Sequence, residues 1–220
     1  MPKRVRMTAQ ERREQLLGVA RSVFAERGYQ ATSVEEIAER AGVSKPVIYQ
    51  HFGGKEGIYA VVVDREVRQL TDSIKRCFDA VHPRLVAVGA ADAFLTYIEE
   101  HEEGFRVLVR DAPTPITQGS FATVIADVAA RCEELLVAEF GDRGFDAATA
   151  PMYARMLVGA VALVGEWWLD EREPAREVVA AHLVNLMWNG LAHLQPVDAR
   201  AVKKARKKRE TLAPDAGATS

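Results

Sequence analysis

The chain has 220 residues, of which 48% are hydrophobic and 27% are charged. This composition is typical of a globular protein that is long enough to bury a sizeable core. No uncharged apolar stretch reaches about 18 residues, and the basic N-terminus leads into no apolar segment, so we expect neither a membrane span nor a secretory signal. Cys77 and Cys132 form no metal-binding or disulfide pattern, which favours a reduced, cytoplasmic setting.

The charge is distributed unevenly along the chain. Residues 1–60 carry ten Lys and Arg against seven Asp and Glu, whereas residues 61–199 carry twelve against twenty-two. Residues 200–220 are basic again, with seven against two. Because residues 1–60 are basic and residues 61–199 are acidic, we predict that the N-terminal region contacts an anionic partner.

Apolar residues recur at helical spacing in nearly every segment, and no segment sustains a period of two, which predicts an all-α fold. Residues 8–11 (TAQE) have the form of a capping box, a hydroxyl followed three positions later by a carboxylate. A helix should follow and stop near Gly28, because glycine tolerates the left-handed conformation at a helix end. A second capping box, residues 33–36 (SVEE), opens a short helix over about residues 34–40. We expect the inner face of the first helix to comprise Leu16, Leu17, Ala20, Val23 and Phe24.

Residues 34–52 have the pattern of a helix-turn-helix. Ala38 is small where the two short helices would cross, and Gly42 lies where the chain must turn sharply with positive φ. Ser44 is placed to cap the second short helix, which should end near His51. The exposed face of that helix could enter the major groove of DNA. An ordinary helical hairpin would give the same pattern.

A long helix is expected from about Lys55 to Val81, ending before Pro83. The glycine at position 104 is expected to separate two of the helices that follow it. These later helices should occupy roughly residues 84–101, 104–111, 118–139, 148–170 and 175–193.

Two stretches of the N-terminal region closely resemble the tetracycline-repressor (TetR) family. They are residues 25–38 (AERGYQATSVEEIA) and residues 41–52 (AGVSKPVIYQHF), followed by Lys55 and Glu56. The resemblance covers roughly residues 10–60 and is specific in order and spacing. It implies a homodimeric transcriptional regulator, more often a repressor than an activator, that binds a palindromic operator and is controlled by a small-molecule ligand.

The resemblance also assigns DNA-contacting residues by position. Lys45, Val47 and Tyr49 would lie on the groove-facing side of the recognition helix. Tyr49, His51 and Lys55 would contact backbone phosphates, as would the hydroxyl groups that precede the second helix. A core aromatic is the alternative for Tyr49, and a helix-end cap is the alternative for His51. The full expected DNA-binding set is Thr32, Ser33, Ser44, Lys45, Pro46, Val47, Tyr49, Gln50, His51 and Lys55.

The helical part behind the DNA-binding head is longer than a DNA reader needs, and pockets between helices are common ligand sites. The apolar and aromatic residues of this part could line such a pocket or simply fill a core. Because few charged residues accompany them, we predict a hydrophobic or aromatic effector, such as a fatty acyl chain. The candidate lining residues are Phe94, Tyr97, Ile98, Phe105, Phe121, Ile125, Met156, Leu163 and Trp167.

The helix expected at residues 148–170 has two apolar faces, and a helix that is apolar on both sides is buried on both sides. One face can line the pocket while the other contacts a second copy of the chain. The final helix carries a similar apolar stripe, so two helices from each protomer would form a four-helix interface across a two-fold axis. A DNA-reading dimer needs this interface, because one short recognition helix contacts few base pairs.

We therefore expect three parts: a basic arm and three-helix DNA-binding head at residues 1–54, a helical ligand-sensing and dimerisation bundle at residues 55–195, and a basic, flexible tail at residues 196–220. The basic side chains within residues 3–6 could follow a minor groove or remain solvated. For the basic run at residues 203–209, we favour a solvated segment over added DNA affinity.

Two rival interpretations remain, an enzyme and a DNA-binding protein that takes no ligand. The histidines are scattered and the sequence has no catalytic or metal-binding motif, so we expect no catalytic residue, no metal site and no cofactor. In the second alternative, the helical bundle would serve dimerisation or protein partners only. The expected partners are double-stranded DNA, a second copy of the chain and a hydrophobic effector, without a membrane.

Overall fold

The computed structural model describes residues 7–79, 82–110 and 121–197, so the basic arm and the run at residues 203–209 lie outside the described residues. The described ranges contain helices and no strand, which confirms the predicted all-α fold. Short 3₁₀ segments occupy Arg76–Asp79 and Ala147–Thr149. The α-helices are α1 (Ala9–Ala31), α2 (Val34–Ala41), α3 (Lys45–Phe52), α4 (Lys55–Lys75), α5 (Pro83–Glu100), α6 (Glu102–Val109), α7 (Phe121–Arg143), α8 (Ala150–Glu171) and α9 (Arg176–Ala192).

The chain divides into two compact units, Met1–Trp188 and Asn189–Ser220. The first unit contains both the expected DNA-binding head and most of the expected sensing bundle. One hydrophobic core runs through this unit, from Leu16 in α1 to Leu183 in α9. The second unit begins inside α9, and its described part continues to residue 197.

The first helix is built as its sequence predicts. The amide of Glu11 donates to the Thr8 hydroxyl at 3.2 Å, and the amide of Thr8 donates to the Glu11 carboxylate at 2.7 Å, which completes a capping box. Gly28 leaves the helical conformation at φ +76°, and one further turn carries the chain to Ala31. The expected inner face is confirmed, because all five of its residues are buried: Leu16, Leu17, Ala20, Val23 and Phe24.

The long helix α4 joins the head to the bundle and carries a buried carboxylate, Glu66, which is 1% exposed. The Tyr97 hydroxyl of α5 donates to Glu66 Oε2 at 2.8 Å, and Arg21 of α1 lies 3.5 Å from Oε1. Burial, with a contribution from the charge of Glu66, raises the pKa of the Tyr97 phenol, which keeps its hydroxyl protonated as the donor. Glu66 therefore connects three helices. α4 ends earlier than expected, at Lys75 rather than near residue 81.

The glycine at position 104 does not separate two helices, as the sequence analysis expected. It lies inside α6, and the break between α5 and α6 falls at His101. Gly104 serves close packing instead, because a methyl group on its Cα would collide with the carboxylate of Glu66 and lie 3.1 Å from the Tyr97 hydroxyl. A local pattern could not reveal this role, since Glu66 is distant in sequence.

We predict that Gly104→Ala lowers the free energy of unfolding by about 1–3 kcal/mol, the usual cost of overpacking a tight site. Thermal or urea denaturation measures this loss. Gly141→Ala is the matched control, because nothing lies within 4 Å of a Cβ built there in α7. The control should leave stability unchanged or raise it by up to about 1 kcal/mol, as expected for alanine in a helix. Equal effects of the two substitutions would contradict the packing role of Gly104.

Candidate DNA-binding site

A tight left-handed turn joins α2 to α3. Gly42 adopts φ +64° and ψ +37°, as the sequence analysis predicted, and glycine takes this conformation without a steric penalty. The amide of Val43 donates to the Ala38 carbonyl at 3.0 Å, which satisfies an acceptor at the end of α2. The turn directs α3 across α2 in the arrangement of a helix-turn-helix.

The third helix leaves most of its surface exposed. Ile48 is its one buried residue, and Val47 and His51 are half-buried. Tyr49 is 55% exposed, so it is not a core aromatic. A short helix with one buried anchor and an outward polar face has the form needed to enter a DNA groove. The exposed residues of the expected set are Ser44, Lys45, Pro46, Tyr49 and Gln50.

The first helix holds α2 and α3 at their C-terminal ends. Arg13 donates from Nη1 to the His51 carbonyl at 3.0 Å, and its guanidinium lies 4.5 Å from the centre of the Phe52 ring. Gln15 donates from Nε2 to the Ala41 carbonyl at 3.3 Å. The last carbonyls of a helix lack intrahelical partners and favour a nearby cation, so these contacts fix the direction of α3. Sequence reasoning missed both residues, because their partners lie 38 and 26 positions away.

Three hydroxyl residues of the expected set have distinct positions. Thr32 is buried and its hydroxyl donates to the Gly28 carbonyl at 2.7 Å, so its side chain closes the end of α1. In this conformation the hydroxyl donates within the head, and a contact of Thr32 with phosphate stays a prediction. The Ser33 hydroxyl accepts from the Glu36 amide at 3.1 Å and caps α2. Ser44 occupies the N-cap position of α3, but its side chain makes no capping hydrogen bond.

Both lysines of the expected set contact neighbouring residues. Lys45 forms an ion pair with Glu35 of α2. The hydrogen bond from Lys45 lowers the pKa of the Glu35 carboxyl, so Glu35 is charged at neutral pH. Lys55 donates to the Gln30 carbonyl at 3.2 Å, and its ammonium lies 4.3 Å from the centre of the Tyr29 ring. The two positive charges are therefore positioned by the protein.

Comparisons with known proteins agree with this geometry. A family model described as bacterial regulatory proteins of the tetR family matches residues 16–62, and one described as the tetracyclin repressor-like C-terminal domain matches residues 81–190. The chain belongs to the TetR family of bacterial transcriptional regulators. It is 32% identical over 192 residues to the HTH-type transcriptional activator FasR of Mycolicibacterium smegmatis, covering 86% of this chain and 87% of FasR.

Solved structures of other TetR-family proteins share the fold. A TetR-like regulator from Rhodococcus sp. RHA1 superposes with a TM-score of 0.69 at 28% identity, covering 86% of this chain and all of that one. The regulator PfmR from Thermus thermophilus gives a TM-score of 0.61 at 25% identity, covering 88% and 99%. The chain is thus a DNA-binding transcriptional regulator and not an enzyme.

The expected effector site divides into two groups of residues. Phe94, Phe105 and Phe121 are buried and form a cluster with ring centres 5.2–6.0 Å apart, and the Tyr97 ring lies 6.4 Å from Phe105. Ile98 is buried beside this cluster and Ile125 packs partly against the core. Four aromatic members of the expected site, Phe94, Tyr97, Phe105 and Phe121, are therefore together between α5, α6 and α7.

The three expected pocket residues on α8 are exposed and are not buried with the aromatic cluster, so their place in an effector pocket stays a prediction. Met156, Leu163 and Trp167 are 56%, 68% and 50% exposed. The opposite face of α8 is buried, through Ala162, Gly165 and Trp168 among others, and a methyl group on Gly165 would collide with Phe94. The apolar pattern identified both faces of this helix, but it could not tell which one packs on the chain's own core.

The segment Ala147–Glu171 has the length of a membrane-spanning helix, and an 18-residue window within it has a mean hydropathy of 1.5. The segment contains Arg155, Glu166, Asp170 and Glu171, and one weakly apolar helix of this kind does not indicate a membrane protein.

We predict that Tyr49→Ala weakens binding to all duplexes by about tenfold, as expected for losing a hydrogen bond to a charged phosphate. Because Tyr49 is exposed, unfolding free energy should change by no more than about 0.5 kcal/mol. Fluorescence anisotropy and thermal melting measure the two effects. The neighbouring Ile48→Ala is the contrasting control and should cost about 2–5 kcal/mol of stability. A loss confined to one base position would instead assign Tyr49 to base reading.

Proposed function

We propose that this regulator acts in the cytoplasm as a homodimer that binds a palindromic operator and is controlled by a hydrophobic or aromatic effector. The observation that carries the proposal is the outward face of α3, where Lys45, Tyr49 and Gln50 are exposed around the single buried anchor Ile48. Lysine and tyrosine suit phosphate oxygens, and glutamine can pair with the edge of adenine.

The exposed apolar face of α8 supports the dimer. Met152, Met156, Leu163 and Trp167 recur at spacings that place them on one side of the helix, and each is about half exposed or more. On α9, Leu186 is 73% exposed. Covering such a surface with a second copy removes apolar area from water at about 25 cal/mol per Å². We infer that α8 and α9 of two protomers pair across a two-fold axis.

In-vitro selection of bound duplexes should enrich a palindrome whose half-sites lie about one helical turn apart, roughly 34–36 Å. Trp167→Glu should dissociate the dimer and lower affinity for this palindrome by at least about 30-fold, the effect of losing an interface hot spot. Sedimentation and anisotropy measure the two changes.

Val137→Glu on α7 is the matched control, because Val137 is also exposed and apolar, at 43%. It should preserve both the dimer and the affinity. Enrichment of a single asymmetric site, or a Trp167→Glu protein that remains dimeric, would contradict the proposal.

The aromatic cluster supports an apolar effector. Phe94, Phe105 and Phe121 come from three different helices, so an apolar molecule that inserts among their rings would move those helices relative to one another. Flat or aliphatic groups pack well on such rings. A sugar or an ion would find few polar partners there.

Glu66 supports a connection from this cluster to the DNA-binding head. Tyr97 contacts Phe105 through its ring and Glu66 through its hydroxyl. Glu66 in turn faces Arg21 of α1, which also pairs with Glu103 of α6 at 3.3 Å. We propose that effector binding shifts Tyr97, and that α4 and α1 transmit the shift as a changed separation of the two recognition helices. An effector acts this way only if it has different affinities for the two states.

Tyr97→Phe tests this connection, because it removes the hydroxyl and keeps the ring. Thermal-shift measurements with straight-chain fatty acids and substituted aromatics should identify ligands of the wild-type protein. We expect Tyr97→Phe to bind the same ligands, while the factor by which they change DNA affinity falls from the usual range of about 5–150 towards one. An unchanged factor would contradict the role of Tyr97, and a panel that shifts no melting temperature would contradict an apolar effector.

The name of one relative supports a proposal for the direction of regulation. The sequence analysis favoured repression, the more frequent mode expected from the family resemblance. FasR, which matches this chain over most of both lengths, is named an activator. We therefore propose activation, which a reporter driven by the selected operator tests directly.

A further inference from the structure

The ion pair between Glu35 and Lys45 joins the two helices of the helix-turn-helix on their outer side. Glu35 lies in the first turn of α2, and Lys45 is the first residue of α3. Their side chains are 58% and 52% exposed. The recognition helix therefore carries its lysine beside a carboxylate on the surface proposed to meet DNA.

Another carboxylate of α2 has different surroundings. Glu36 is mostly buried and contacts two arginines, Arg27 at 2.7 Å and Arg40 at 3.0 Å, so its charge is balanced within the head. Arg40 contacts Glu26 as well, at 2.8 Å. Glu35 instead pairs with a residue of the expected DNA-binding set, and its charge therefore competes with DNA for Lys45.

The strength of the Glu35–Lys45 ion pair determines whether DNA can displace Glu35 from the lysine. An exposed ion pair contributes little to stability, so a duplex can displace Glu35 from Lys45 at small cost. When Lys45 turns to a phosphate, however, the Glu35 carboxylate is left unpaired close to the phosphate backbone, and like charges repel. At a guanine the lysine can donate to the O6 and N7 acceptors of the base edge without placing a phosphate beside Glu35.

We propose that Glu35 is a specificity-determining residue that positions Lys45 and disfavours its contact with phosphates, so that it lowers affinity for random DNA more than affinity for the operator. This inference rests on the proposed DNA-binding function of α3. It assigns a functional role to an acidic residue on a surface where basic residues are the usual candidates.

The test compares Glu35→Gln with Glu39→Gln, which removes the same charge from an exposed position one turn further along α2. Anisotropy titrations over a range of salt concentrations use the duplex enriched in the selection and a scrambled duplex of equal length and composition. Glu35→Gln should tighten binding of the scrambled duplex about three- to fivefold, as expected for releasing an exposed ion pair. Binding of the enriched duplex should change less than twofold.

The salt dependence of DNA affinity gives a second measure, because it reports the number of phosphate contacts. With one more phosphate contact, the slope of log affinity against log salt for the scrambled duplex should steepen by about 0.9. Glu39→Gln should leave that slope unchanged. In a Lys45→Gln background, Glu35→Gln should tighten binding of the scrambled duplex by a smaller factor and leave its salt slope unchanged, because no lysine is released to a phosphate. Circular dichroism melts establish that each variant is folded, and Glu35→Asp, which keeps the charge, should resemble the wild type.

Three results would overturn the inference: equal effects of the Glu35 and Glu39 substitutions, equal tightening of both duplexes by Glu35→Gln, or weaker binding of both. A wild-type protein that retains neither duplex at low salt would refute the proposed DNA-binding function itself, which is a distinguishable outcome.

Discussion

The orientation of α3 depends on a single buried side chain. Ile48 is its one fully buried side chain, and it enters the same core as Ile37 of α2 and Leu17 of α1. A helix of eight residues is too short to be stable alone, so tertiary contacts must hold it. Arg13 supplies a second point of attachment at the other end of the helix, through the His51 carbonyl. These two attachments hold the helix in place and leave Tyr49 and Gln50, which lie between them, exposed.

The same core joins the DNA-binding head to the helical bundle. The helices of the head and the bundle share one hydrophobic core, in which close packing allows few independent movements. The carboxylate of Glu66 lies inside that core, where an unsatisfied charge would be costly. It therefore requires Tyr97 and the nearby Arg21 to stay in place, and a movement of either one changes its energy. A buried polar contact of this kind favours a small number of discrete arrangements over continuous deformation.

Sequence reasoning succeeded where local chemistry decides the structure. The capping box at Thr8 and the left-handed turn at Gly42 depend on residues within a few positions of each other, and both were predicted. It failed where the deciding partner is distant in sequence. Gly104 looks like a helix breaker until Glu66, on another helix, is seen beside it.

The exposed face of α8 shows a second kind of feature that sequence analysis cannot predict. Periodicity shows that this helix has two apolar faces, but both faces have the same period, so periodicity cannot rank them. Gly165 packs against Phe94 where a larger side chain would collide, and Leu163 and Trp167 on the other side of the helix are exposed. Small residues carry a weak hydropathy signal, and an interpretation based on large apolar side chains overlooks them.

The two surfaces to which we assign partners, the faces of α3 and α8, differ in physical character. The face of α8 is apolar, so its burial depends on area and is largely insensitive to salt. The face of α3 is polar, with a lysine whose charge is partly balanced, so its binding releases counterions and weakens as salt rises. In the proposed dimer, pairing through α8 supplies the second recognition helix that useful specificity requires, because a single recognition helix contacts few base pairs. The proposed apolar contact would then set the protein concentration needed for binding, and the polar face of α3 would set which DNA is bound.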